Sequence, residues 1–534
     1  MNTIQKIGLG MFIIGFLAWI ATLTMGQFTL TDQILKDNLK PDHYEQLRPS
    51  LAPMLNYTYA TPIGFNRDLA NTIEQVNKGF KNQNQMGKAI NDSYAFVLTK
   101  AASHGYIREA NVLLFWLSIG LAIVGALIYI LAGLGKLPGI KNDHVYHQSA
   151  TSRGWVGIIV GAFLILFYII IYFFPQYIVN WTLLVDPLSR ALSGNPASQW
   201  FLYGTLYTLA ILVMGVRMLI KYRHSPYQQV RTVSVMFFQL AFAFIIAEIL
   251  VSLSLPYYDF KNMWPLDYDF FFEWHLDSLI SSGRLGVFML VWGIALFMIG
   301  VPLLTYFYGK RWYCSWVCGC GGLAETLGDP YRQLSDKSLK AWQVERYMVH
   351  GVLVFVVVMT ALVLYTYFTG QGNIGPISTY SVRSAYGFWI GALFSGIVGV
   401  GFYPFMGNRV WCRYGCPLAA YLGIVQRFKS KFRITTNGGQ CISCGNCSTY
   451  CEMGIDVRWY AQRGQDVVRS SCVGCGICSA VCPRGVLNLE NADPDSRVMI
   501  APEVLVGNDM PQIKKQVSTS VPSDQKVSGN EKEG

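Results

Sequence analysis

"CISCGNCSTYC", Cys441 to Cys451, and "CVGCGICSAVCP", Cys472 to Pro483, share one spacing, C-x2-C-x2-C-x3-C. It is the spacing of a bacterial two-cluster ferredoxin, in which three closely spaced thiolates grip one cubane and the fourth ligand comes from the other motif. One [4Fe–4S] cluster is therefore expected on Cys441, Cys444, Cys447 and Cys482, and a second on Cys472, Cys475, Cys478 and Cys451. A zinc site uses four ligands, and eight cysteines in this doubled order argue against one. Gly445, Gly474 and Gly476 supply tight turns and N–H groups aimed at sulfur. Glu452 stands where the first motif usually has proline, a change that removes no ligand. Residues 434–490 are expected to form a small α+β ferredoxin-like domain.

Upstream lies a second repeat. "GKRWYCSWVCG" at 309–319 matches "GNRVWCRYGCP" at 407–417, and "LAETLG" at 323–328 echoes "LAAYLG" at 418–423. The pairs Cys314/Cys318 and Cys412/Cys416 correspond; Cys320 has no counterpart, and Gly319 replaces Pro417. An i, i+4 pair faces one side of a helix. Two such pairs brought together offer four thiolates to a third cluster, to a reversible dithiol, or to Cu(I), which favours soft ligands. The competing reading is packing, since free cysteines are often buried.

Each pair follows an apolar run. The chain is 52% hydrophobic and only 14% charged, against about a quarter charged in soluble domains. Eight runs approach the roughly 20 residues that a crossing needs: about 7–25, 111–133, 155–179, 201–220, 233–255, 286–308, 347–369 and 386–406. The expected fold is mainly α, a polytopic helical membrane protein with that ferredoxin-like domain at its C-terminal end. The first run is longer than a signal core of about 7–15 residues and reads as a retained anchor.

The net charge of +11 is a topology signal rather than a nucleic-acid footprint. With the N-terminus inside, the basic residues fall in 134–154, 221–232, 309–346 and beyond 407, while the 256–285 loop is acidic. This places the protein in a bacterial inner membrane with the ferredoxin domain cytoplasmic. All thirteen cysteines lie on that side, where disulfides are rare, so metal or redox roles are the default.

The expected plan is an anchor at 1–25, an outer-side polar helical cap at 26–110 and spans two to six within 111–308. A cysteine-motif segment occupies 309–346, the last two spans 347–406, and the second motif with its basic linker 407–433. The ferredoxin domain at 434–490 precedes a polar tail at 491–534 whose composition predicts disorder.

An eight-cysteine ferredoxin module following membrane spans with paired CxxxCP motifs resembles the NapH/NosR-type membrane iron–sulfur proteins, over roughly 285–490. The family's motifs map onto Cys314/Cys318, where the proline is missing, and onto Cys412/Cys416/Pro417. The resemblance implies electron transfer linked to the quinone pool, with other redox proteins as partners. No flavin-attachment segment of the NosR kind is apparent in 26–110.

Intramembrane carboxylates are costly and often functional. Glu248, in "IIAEILV", is a candidate proton acceptor at a quinol site, with His275 from the next loop as its neighbour. A lone membrane histidine, His350, does not make a haem site, and no haem is expected. The function expected is one-electron transfer between quinol or quinone and a partner redox protein, by a redox subunit rather than a stand-alone enzyme. The alternatives are an accessory protein of copper or cofactor assembly, worked by Cys314, Cys318, Cys320, Cys412 and Cys416, and a redox-sensing membrane regulator.

Overall fold

The computed structural model describes residues 2–82, 90, 93–133 and 137–491. The expected disorder of the polar tail falls outside the described residues. Among the described residues, seven helices are long and apolar enough to cross a membrane: Thr3–Thr24, Asn111–Gly133, Trp155–Phe173, Gln199–Lys221, Pro226–Ser252, Gly283–Tyr308 and Leu339–Thr369. Their outward faces carry exposed Ile, Leu, Val and Phe, as lipid-facing helices do.

The eighth expected span, 386–406, is shifted toward the N-terminus. Residues 379–398 are helical, but the helix starts in the polar turns of Thr379–Tyr386 and ends at Val398 rather than near 406. Its two parts, Thr379–Tyr386 of 8 residues and Gly387–Val398 of 12, together reach the roughly 20 of a crossing. It brings residues 407–417 beside residues 309–319, as Cys314, Cys318, Cys412 and Cys416 share one core with the ferredoxin cysteines.

Residues 26–110 have a core of their own, with Phe28, Leu30, Leu47, Leu51, Phe65 and Leu69 fully buried. Helices Asp32–Asn38, Pro41–Leu51, Pro62–Asn82 and Ser93–Ala102 surround a small antiparallel sheet in which Gln27–Thr29 pairs with Thr58–Tyr59 and Ser103–His104. The strands are too short to show in the sequence pattern. A buried ion pair, Lys100 to Asp186 at 2.8 Å, fixes this unit to helix Val179–Ser193.

The connection between Ser252 and Glu273 does not stay at the surface, where its acidic residues led it to be expected. It folds back into the bundle. The Trp264 indole donates to Thr360 Oγ1 at 3.0 Å, and the Trp292 indole donates to the Phe260 carbonyl at 2.9 Å. Thr360 and Trp292 each lie nine residues in from the near ends of their helices, Thr369 and Gly283, roughly 13 Å along an α-helix. Met263 is buried in the same core as Cys314 and Cys318. Irregular backbone is tolerated at such depth where protein surrounds it or it lines a cavity.

Candidate functional site

The two ferredoxin motifs fold as a pseudo-symmetric pair. Gly445 and Gly476, at φ +82° and +72°, open the short helices Asn446–Thr449 and Ile477–Ala480. The left-handed conformation is cheap only for glycine, as the sequence anticipated. The two fourth cysteines have matching surroundings. Cys451 Sγ accepts from the Ile455 N–H at 3.3 Å, and Cys482 Sγ from the Val486 N–H at 3.4 Å. Strand Phe432–Thr436 pairs antiparallel with Leu487–Asn491 and closes the unit, Phe432 opposite Asn491 and Thr436 opposite Leu487.

The motifs interlock as their spacing requires. One cavity is lined by Cys441, Cys444, Cys447 and, from the other motif, Cys482. Another is lined by Cys472, Cys475, Cys478 and Cys451. Four convergent thiols with backbone N–H donors aimed at sulfur are the donor set of a cubane. Cys444 is exposed whereas Cys472 and Cys478 are buried, so the first cavity faces solvent and the second faces the helix bundle.

A third cavity is lined by Cys314, Cys318, Cys320, Cys412 and Cys416. The upstream repeat builds it symmetrically. Gly309 and Gly407 turn the chain out of the membrane helices at φ +66° and +91°, which explains the glycine that opens each copy. Each copy then docks on the other's helix: the Lys310 N–H donates to Gln426 Oε1 at 2.6 Å, and Asn408 Nδ2 donates to the Ala324 carbonyl at 2.6 Å. Cys318 and Cys416 cap the N-termini of helices Gly319–Thr326 and Pro417–Lys429, and Cys416 Sγ accepts from the Ala419 N–H at 3.4 Å. Helix N-termini favour thiolate. The Arg409 guanidinium lies 3.5 Å from Cys412 Sγ. A hydrogen bond from the Cys320 thiol, then the Gly321 N–H, Lys261 and Arg409, overcome burial and bring Cys318 down to about 6, while burial pushes Cys314 up to about 12. Cys320 is thus the donor beside the matched four.

The third cavity adjoins the second. Ser315, next to Cys314, donates to the carbonyl of Val473, next to Cys472, at 2.8 Å. Gln228 Nε2 donates to the Cys475 carbonyl at 2.7 Å and the Tyr227 hydroxyl to the Gly474 carbonyl at 2.8 Å, tying the second motif to helix Pro226–Ser252.

Glu452 has a role that its sequence position did not reveal. It is fully buried, with Arg332 and Arg409 as ion-pair partners and Asn408 Nδ2 donating to it at 3.2 Å. The same arginines pair with Glu325, which also receives Arg231. Asp329 accepts from Lys221 at 3.0 Å and pairs with Arg217 and Arg332. Arg217 is one end of this network. Burial raises the Asp329 carboxyl, but Lys221, Arg217 and Arg332 more than offset that and hold it well below the usual range. The network joins the ferredoxin domain to both repeat copies.

Beside the third cavity lies a large one of about 670 Å³. Its wall runs from Trp200 and Glu248 through Tyr207 and Gln239 to Cys318 and Cys320. The infolded segment contributes Tyr257, Asp259, Lys261, Asn262, Leu266 and Tyr268. Glu248 is therefore a cavity residue. His275 is not part of that wall; it packs against Phe270 and Trp274, and no hydrogen bond joins it to Glu248 among the described residues. Burial pushes its imidazole down.

The fold and these thiol cavities define a polytopic helical membrane protein with a ferredoxin-type iron–sulfur domain. The family described as "4Fe-4S binding domain" matches residues 290–338 and 387–435, covering both copies of the upstream repeat, and the "4Fe-4S dicluster domain" matches 412–487. Among similar proteins, YccM of Escherichia coli, named for electron transport, is 27% identical over 172 residues, 28% of this chain and 43% of the relative. Protein NirI of Paracoccus denitrificans is 29% identical over 184 residues, 34% of this chain and 26% of the relative. The methylamine utilization ferredoxin-type protein MauN of the same organism is 27% identical over 164 residues, 29% of this chain and 53% of the relative. The matches thus span about half or less of these relatives. Comparison with solved structures finds no match. The likeness to the NapH/NosR-type proteins holds over the repeat and ferredoxin segments.

Proposed function

We propose that the chain carries single electrons between membrane quinol or quinone and a partner redox protein. The observation that carries this reading is the succession of three thiol cavities, from the membrane cavity to the exposed Cys444. Cys441, Cys444, Cys447 and Cys482 hold one [4Fe–4S] cluster, and Cys472, Cys475, Cys478 and Cys451 the other. Cys314, Cys318, Cys412 and Cys416 hold a third, with Cys320 as a hydrogen-bonding thiol beside it. Such clusters, when bound, accept and release one electron at a time. The chain's own residues hold them in adjoining walls, exclude water from the inner two, and place Arg409 and backbone N–H groups against sulfur.

Glu248 receives a proton at the wall of the membrane cavity; the placement of His275 supports no such part for it. The lysine and arginine distribution supports a bacterial inner membrane, with the thiol cavities on the cytoplasmic side and residues 26–110 outside. The partner docks at the surface around Cys444.

Iron and sulfide quantification with EPR on anaerobically purified protein tests the reading. Wild type should hold about twelve irons, and the Cys314→Ser/Cys318→Ser/Cys412→Ser/Cys416→Ser variant about eight. Equal iron in both overturns the third cluster, and copper in place of iron turns the site into a soft-metal site. Trace iron alone in wild type overturns the whole reading.

A further inference from the structure

We propose that the 670 Å³ cavity binds the ring of a quinone, and that the infolded segment 253–272 forms the polar inner end of the site. The proposal rests on the electron-carrier reading and names the place where its lipid-soluble partner sits. A cavity of this size suits one ligand of that class. It lies among membrane helices, so its occupant comes from the lipid phase. Its sides are aromatic, with Trp200, Tyr203, Tyr207, Tyr268 and Trp411 offering faces and edges to a flat ring.

The polar groups gather at one end. Lys261 has a side chain only 8% exposed and pairs with Asp259 at 2.8 Å. An ammonium has three donors, so this pair still has N–H groups for a ring carbonyl. Gln239 Nε2 donates to Thr208 Oγ1 at 3.2 Å. Its carbonyl oxygen lies 2.7 Å from where a Cβ on Gly319 would sit, so a side chain there would push the Gln239 amide out of place. Asn262 completes this end, next to Cys318 and Cys320. A buried ion pair is costly to desolvate, and here it is carried deep into an apolar bundle by a segment that spans nothing. Recognition of a polar ring at that depth accounts for it. Glu248 lies nine residues from Gln239, further along the same membrane helix. The ring is therefore placed beside the thiols and Glu248 along its way in.

The test uses full-length protein in nanodiscs and a photoreactive azido-ubiquinone analogue, with labelled peptides mapped by mass spectrometry. Label is expected on 257–268 and on the Gln199–Lys221 helix, displaced by excess decylubiquinone. Gly391→Phe fills the cavity from the opposite wall, where the atoms nearest a Cβ are those of the Tyr268 ring and hydroxyl. Asp259→Asn/Lys261→Met removes the ion pair as a unit. Each variant should cut labelling at least tenfold while iron content and circular dichroism stay at wild-type values. Label confined to lipid-facing positions, label displaced equally well by a fatty acid, or full labelling in folded Gly391→Phe protein would each overturn the proposal. Absent labelling in protein that keeps its cluster EPR signals sinks this site and leaves the carrier reading standing. Specific labelling in protein without clusters supports the site and sinks the carrier reading.

Discussion

Glu452 occupies the place that Pro483 holds in the second motif, and its surroundings explain the exchange. Proline there would offer no group to Arg332 or Arg409, both fully buried. The two guanidinium groups, next to the second thiol cavity, would keep Glu325 but lose the second carboxylate they share. Removing one member of a buried charge network costs about 3–5 kcal/mol. Glu452→Gln should therefore lower the unfolding midpoint of the purified protein and speed proteolytic release of the ferredoxin domain. Glu452→Pro, which restores the usual motif, should do at least as much damage. A midpoint unchanged in both variants would mean that the network does not hold the domain. Nothing in the spacing of the motif foretold this, because the arginines are more than 40 residues away in the chain.

At the scale of elements, the two short ferredoxin helices and the two upstream copies both work by exchange. The first motif supplies Cys451 to the second cavity, and the second supplies Cys482 to the first. Cys451→Ser should accordingly alter the EPR signal of the centre on Cys472, Cys475 and Cys478. The centre on Cys441, Cys444 and Cys447 should be left near wild type, and Cys482→Ser should do the reverse. If each change instead damages the centre of its own motif, the cross-ligation is wrong. The infolded segment 253–272 is the element that composition misplaced. Tyr, Trp and Phe mixed with Asp suit a membrane interface as well as a cavity wall, and a local pattern does not report depth. Hydrogen bonds to Thr360 and Met289, the latter accepting from the Tyr258 hydroxyl at 2.8 Å, decide it.

For the molecule as a whole, the proposed orientation puts the thiol cavities on one side of the membrane and residues 26–110 on the other. A single cysteine introduced by Lys81→Cys, at an exposed position on helix Pro62–Asn82, should react with a membrane-impermeant maleimide in intact cells. The thirteen native cysteines should react only after the membrane is opened. Labelling of the native set in intact cells would invert the orientation.

The sequence by itself determined that most helices cross a membrane, that two thiol motifs interlock as a ferredoxin, and that the pairs Cys314/Cys318 and Cys412/Cys416 are copies of one device. These are properties of hydropathy, spacing and repetition, which are local and written in order along the chain. Only the tertiary structure decided that the last membrane helix starts at Thr379 in a polar turn and ends at Val398, that Glu452 lies at the centre of a buried network, and that a loop between two membrane helices walls a cavity reaching Cys318 and Cys320. Each of these depends on charges or backbone meeting across long sequence separations, and buried ion pairs and infolded segments leave no periodic trace.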